Sequence, residues 1–144
     1  MTQTVTQSSD PHFADQLILR IREVGHPLCL GLDPDLAQVP ALFQRGDMGA
    51  GSAQTPEAVE DFLLAILERA EGRAAIVKPQ IAFFEQMGWR GIEVLTKVVE
   101  RARALGFSAL LDATRGDIGY TAAGCANAYL APRSPTHLQY PRLH

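Results

Sequence analysis

The sequence is short of cysteine, of basic excess and of long apolar runs, and each shortage removes a class of protein. Cys29 and Cys125 are the only two thiols in 144 residues. Their apolar or small-residue neighbours predict reduced core cysteines rather than a disulfide. No cluster of Cys and His has metal-ligand spacing, so no metal site is expected. The formal net charge of −3 argues against a dedicated nucleic-acid binder, since phosphate recognition needs a basic surface. The longest wholly apolar runs, such as Phe62 to Leu67, fall far below the ~20 residues of a membrane span. The opening stretch MTQTVTQSSD has no apolar core of a signal sequence, so a cytoplasmic protein is expected, with no membrane partner. What remains is ordinary globular composition, 47% hydrophobic and 20% charged, of a length suited to one domain.

Local patterns then order the chain. Ser9, Asp10 and Pro11 read as a helix start, and Phe13, Leu17, Ile18, Ile21 and Val24 recur at helical spacing up to Gly25. Pro27 to Leu32 is a short apolar run ending at Asp33-Pro34, and reads as a strand buried on both faces. From Asp35 to Gln54 the pattern is irregular, with one helical turn around Leu36 to Phe43. Loops this long are usually functional or disordered. Thr55-Pro56-Glu57 starts a second helix, with apolar positions Val59, Phe62, Leu63, Ile66 and Leu67 and a stop at Gly72. Ala74 to Val77 is the next strand, closing on Lys78-Pro79. Ile81 to Met87 and Gly91 to Leu105 read as helices. Phe107 to Leu111 is a third strand closing on Asp112, and after a turn at Arg115-Gly116-Asp117, Ile118 to Leu130 reads as a helix.

Alternating strands and helices predict an α/β fold with parallel strands and helical crossovers. Asp33, Lys78 and Asp112 each stand at the carboxyl end of a different strand, the face where a β/α barrel gathers its catalytic groups. A doubly wound sheet would give a similar pattern. Each residue also has a plainer reading: Lys78 as a snorkelling lysine at the rim, Asp112 as a strand terminator, Asp117 as a helix cap.

Three motifs carry a resemblance. GLDP (Gly31 to Pro34), VKPQIAFFEQMG (Val77 to Gly88) and LLDATRGDIGYTA (Leu110 to Ala122) resemble, in order, those of the orotidine 5'-phosphate decarboxylases, in the bacterial subgroup with a long first loop. The resemblance runs from about residue 11 to 130, the amino-terminal half of the usual barrel. It implies a partial (β/α)8 TIM barrel of about three β/α units plus an amino-terminal helix. It implies a carboxy-lyase of pyrimidine biosynthesis that converts orotidine 5'-monophosphate to UMP and CO2 without metal or organic cofactor. Asp33 is similar to the carboxylate that binds the ribose. Lys78 is similar to the first lysine of a charged network beneath the substrate, and Asp112 to the aspartate set against the departing carboxylate. Asp117, with Ile118 and Thr121, matches positions that reach across a two-fold interface, so a homodimer with shared sites is implied.

Two departures qualify that picture. The family's catalytic lysine, which stabilises the ring anion and then protonates it, falls at Thr114, whose hydroxyl carries no charge and is a poor acid. Arg115 is adjacent but would project differently. Ala131 to His144, with Pro132, Pro135 and Pro141, shows no period and reads as an irregular, non-native tail after a domain of residues 1–130. An interrupted reading frame near residue 131 would explain it, and the phosphate-gripping half would then be missing. The expectation is an inactive family member. The alternatives are a non-catalytic remnant or half-barrel association module, and a related sugar-phosphate decarboxylase requiring magnesium. An open half-barrel should expose unpaired edges on its first and third strands and an apolar inner face, and so be oligomeric or aggregation-prone.

Overall fold

A computed structural model describes residues 12–113. Helix α1 (Phe13–Val24) leads into strand β1 (Cys29–Leu32), a short 3-10 turn (Leu36–Gln38) and a long loop. Then come α2 (Thr55–Ala70), β2 (Ile76–Pro79), α3 (Ile81–Glu85), α4 (Gly88–Ala104) and β3 (Ser108–Ala109). The strands form one parallel sheet in the order β1-β2-β3, with Gly31 opposite Lys78 and Val77 opposite Ala109. This is the predicted α/β crossover pattern. The expected helix at Ile118 to Leu130, Cys125 and the tail from Ala131 to His144 lie outside the described residues.

One face of the sheet carries the core. Alternation sends Leu32, Val77 and Ala109 to that face, where they meet Val59, Leu63 and Leu67 of α2 and Val94, Val98 and Val99 of α4. Each of these valine and leucine side chains, fully buried, contributes about 1.5–3 kcal/mol. On the solvent edge of the α2–α4 contact, Lys97 reaches Glu60 at 2.9 Å and Arg101 reaches Glu68 at 3.2 Å. Such exposed pairs add ~0.2–1 kcal/mol each.

Several boundaries and environments differ from expectation. The cap of α1 is His12, whose Nδ1 accepts from the Ala14 N–H at 3.2 Å, rather than Ser9 or Asp10, and none of the helix's residues is buried. Thr55 is the first helical residue of α2 rather than its cap. It is fully buried, and its hydroxyl donates to the Gly49 carbonyl at 2.7 Å, which folds the long loop back. The loop is therefore ordered, and Arg45 ties it to α2 by pairing with Glu57 at 2.6 Å and with Asp61. Gly88, not Gly91, begins α4. Gly91 instead lets α4 approach α3, because a Cβ there would lie 1.9 Å from the Phe84 carbonyl oxygen.

The strands are also less buried than predicted. β2, in the middle, buries Ile76, Val77 and Pro79, but β1 is an edge strand with Cys29 exposed and Leu28 61% exposed. Cys29 is thus no core cysteine. Double-sided burial needs a neighbour on each side and a covered second face, and among the described residues β1 has neither. That second face is mixed rather than apolar: Cys29, Gly31 and Asp33 follow along β1, and Ile76, Lys78 and Gln80 along β2. β3 itself is two residues long, although the Leu110 N–H still bonds the Val77 carbonyl at 2.9 Å and the Asp112 N–H that of Pro79 at 2.9 Å.

Candidate active site

β2 extends two residues beyond its predicted end because Lys78 and Pro79 continue the ladder with Gly31 and Leu32. Lys78 is therefore inside the strand, on the face opposite the main core, rather than just past it. Two residues on, Gln80 bridges in parallel to Asp112, and the Ile81 N–H bonds the Asp112 carbonyl at 3.0 Å. Because side chains alternate, Lys78, Gln80 and Asp112 share one face. The Lys78 Nζ lies 3.3 Å from Asp112 Oδ2, and the two side chains are 34% and 30% exposed.

Asp33 follows β1 on the same face. The register that sets Gly31 opposite Lys78 carries Asp33 to the level of Gln80, and a Cβ on Gly31 would sit 3.7 Å from Asp33 Oδ2. The Asp33 carboxylate thus folds back over Gly31, the residue beside Lys78. Gly31 leaves the floor open between the aspartate and the lysine. The three strand-end residues singled out in the sequence are brought to one end of one face, where the Lys78 ammonium pairs with Asp112. Thr114, Asp117, Ile118 and Thr121 lie outside the described residues.

Sequence reading missed Gln80. Its Oε1 accepts from the Ala82 N–H at 3.4 Å and so caps α3, while its backbone bridges to Asp112 on the neighbouring strand. The signal was present in the strand period, since Gln80 is two residues beyond Lys78. The Arg45 anchor was also missed. Glu57 and Asp61 are one helical turn apart, and a single guanidinium reaches both. The hydrogen bond from Arg45 holds the Glu57 carboxyl below the usual glutamate range, and the same bond raises the Arg45 guanidinium. This pair stabilises the loop that follows Asp33.

Chemically, the strand end offers a lysine ammonium paired with one carboxylate, and a second carboxylate on the neighbouring strand. Such an arrangement suits binding of a polar, hydroxyl-bearing ligand and electrostatic pressure on an anionic group brought against Asp112. Among the described residues no three His, Cys, Asp or Glu side chains converge as metal ligands do, and no helix is long and apolar enough to cross a membrane.

Known proteins that share this sequence and fold include orotidine 5'-phosphate decarboxylases. The family model for the orotidine 5'-phosphate decarboxylase / HUMPS family matches residues 26–134. The orotidine 5'-phosphate decarboxylase of Salinispora tropica is 43% identical over 119 residues, which is 81% of this chain and 40% of the relative. A Streptomyces avermitilis structure, provisionally assigned the same activity, superposes with a TM-score of 0.65 at 36% identity, covering 90% of this chain and 42% of that one. The OMP decarboxylase of Leishmania donovani gives 0.61 at 32% identity, over 82% and 39% of the two chains. The chain spans about two-fifths of the length of the curated relatives it matches.

Proposed function

The chain belongs to the orotidine 5'-phosphate decarboxylase / HUMPS family, and from that premise we propose that it carries part of an orotidine 5'-monophosphate site that lacks the family's central cation. The observation that supports this reading is the Lys78–Asp112 pair, with Asp33 across the same strand ends. In this reading Asp33 accepts from the ribose hydroxyls, and Lys78 holds Asp112 in place as an anion. Asp112 then presses on the substrate carboxylate, raising its energy until CO2 leaves.

The ring carbanion so formed needs a cation and a proton. Position 114 holds a threonine, which supplies neither. Loss of a positioned general acid lowers rate by ~10²–10⁴, and loss of a preorganised charge does so by a similar factor. We place Asp117, Ile118 and Thr121 at a two-fold interface, completing the site of a second copy in the cytoplasm. The related sugar-phosphate decarboxylation is less favoured, because the matched curated relatives are named for the nucleotide reaction.

The test is loss of the orotate chromophore, followed in the ultraviolet for the chain as it stands and for Thr114→Lys. Turnover by the substituted protein alone supports the missing cation as the defect. Turnover by neither shows a further deficit beyond position 114. Robust turnover by the unsubstituted chain overturns the reading.

A further inference from the structure

The amino-terminal end of the sheet carries a cavity of its own. It has a volume of about 560 Å³ and lies between α1 and the junction of α4 with β3. Ser108 is on its wall, four residues before Asp112 and so about 13 Å from it along an extended strand. The cavity is therefore at the opposite end of β3 from the candidate active site. Phe13 and Leu19 of α1 line it from one side, and the buried Phe107 lines it from the other. Apolar walls of this extent with a few convergent polar groups are what a small organic ligand needs.

Two arginines supply the polar groups, one from each side. Arg20 of α1 donates from Nη1 to Glu23 at 2.9 Å. Its Nε is enclosed and has no hydrogen-bond partner among the described residues. A Cβ on Gly106 would lie 3.2 Å from Arg20 Nη2, so the guanidinium rests against that glycine, whose φ of +83° turns the chain from α4 into β3. The guanidinium is thus held with one edge on Glu23 and its Nε edge short of an acceptor, which is costly for an enclosed donor. Arg103, in the last turn of α4, lines the cavity opposite. Burial pushes its guanidinium below the usual arginine range, with Glu100 one turn away opposing the shift. A guanidinium with little water around it gains more from an anion than a hydrated one does.

Charge decides between anions. Glu23 also lines the cavity, so two guanidiniums face one carboxylate and leave a single positive charge. That balance suits a monoanion better than a phosphate dianion, and a carboxylate matches the planar fork of a guanidinium edge. An inorganic anion would leave Phe13, Leu19 and Phe107 uncovered. We propose that the cavity between α1 and the α4–β3 junction binds a small monocarboxylate with an apolar, ring-sized body. Its carboxylate meets Arg20 and Arg103, with the Ser108 hydroxyl as a further donor, and its body lies among Phe13, Leu19 and Phe107. Bound there it bridges α1 to α4, and so pins a helix none of whose own residues is buried.

The probe is 2-naphthoate, with 2-naphthamide as its neutral counterpart, titrated into the full chain while assigned backbone amides are followed. The carboxylate should bind at least about tenfold more tightly than the amide, as charge-assisted bonds to two guanidiniums require. Shifts should centre on Gly106, Phe107, Ser108 and α1, and amide exchange in α1 should slow. Arg20→Gln and Arg103→Gln should each reduce the preference for the carboxylate at least about fivefold. Arg69→Gln, on α2, should leave it unchanged. The comparison of the two probes on the unsubstituted chain stands even where an arginine variant fails to fold. Equal binding of the two probes overturns the inference, as does the absence of binding at about 10 mM. Shifts centred on Lys78 and Asp112 or on Phe62 and Ile66, or a preference that survives loss of both arginines, also overturn it.

Discussion

Replacing Gly91 by alanine tests how the strand end is held. α3 leaves the end of β2 directly after Gln80, and α4 returns across it with Gly91 against the Phe84 carbonyl. A Cβ at Gly91 would lie 1.9 Å from that oxygen, 2.8 Å from the carbonyl carbon and 2.9 Å from the Met87 Cβ. Two of the three obstacles are backbone, so no rotamer change relieves them, and α3 and α4 must separate by more than an ångström. Overpacking typically costs ~1–3 kcal/mol, and a rigid backbone clash belongs at the upper end. Alanine regains ~1 kcal/mol of helix propensity. The expected net loss is ~2 kcal/mol, which for a domain of this size lowers the melting temperature by ~8 °C. Gly51→Ala is the control, because a Cβ there meets nothing within 4 Å. The measurement is thermal unfolding of both variants beside the parent. An unchanged or raised midpoint for Gly91→Ala would refute the close approach and the rigid placement of Gln80 that follows from it.

Other consequences follow from the charges. Arg45→Gln should release the loop at Gly49 to Ala53, seen as faster amide exchange there, while α4 is unaffected. The same release should occur in the parent on acidification. Glu57 titrates below its ordinary range when folded, so its bond to Arg45 is fully present above that range and is lost as pH falls through the lowered value. A loop equally protected in strong acid contradicts this. For Lys78→Met and Asp112→Asn, a double-mutant cycle should give a coupling of up to ~1 kcal/mol, since both side chains are about a third exposed. A coupling of zero would mean the pair is not formed in solution.

Periodicity made the parallel α/β order legible, and so was the gathering of Asp33, Lys78 and Asp112, because strand ends in this architecture converge. Burial was legible on α2, where Val59, Leu63 and Leu67 are core, but not on β1. Cys29 and Leu28 sit in a run that reads as interior, and only the position of β1 at the sheet edge exposes them. Thr55 carries the local signature of a cap, but its hydroxyl serves Gly49 six residues back, a contact no local rule anticipates. Lys78 seemed to follow its strand because lysine breaks an apolar run. Backbone pairing to Gly31 ignores side-chain polarity and carried the strand through it. Gln80 and Arg45 escaped notice because neither belongs to a reactive residue type, and each matters through its neighbours across the fold.

We propose that orotidine 5'-monophosphate sits at the end of the sheet carrying Asp33, Lys78 and Asp112. Titrating orotidine 5'-monophosphate into the chain while following assigned backbone amides tests it without requiring turnover. Shifts confined to Gly31, Asp33, Lys78, Gln80 and Asp112, and diminished in Lys78→Met, are the predicted result. Shifts centred on Phe62 and Ile66, or none at the strand ends at saturating nucleotide, would contradict it.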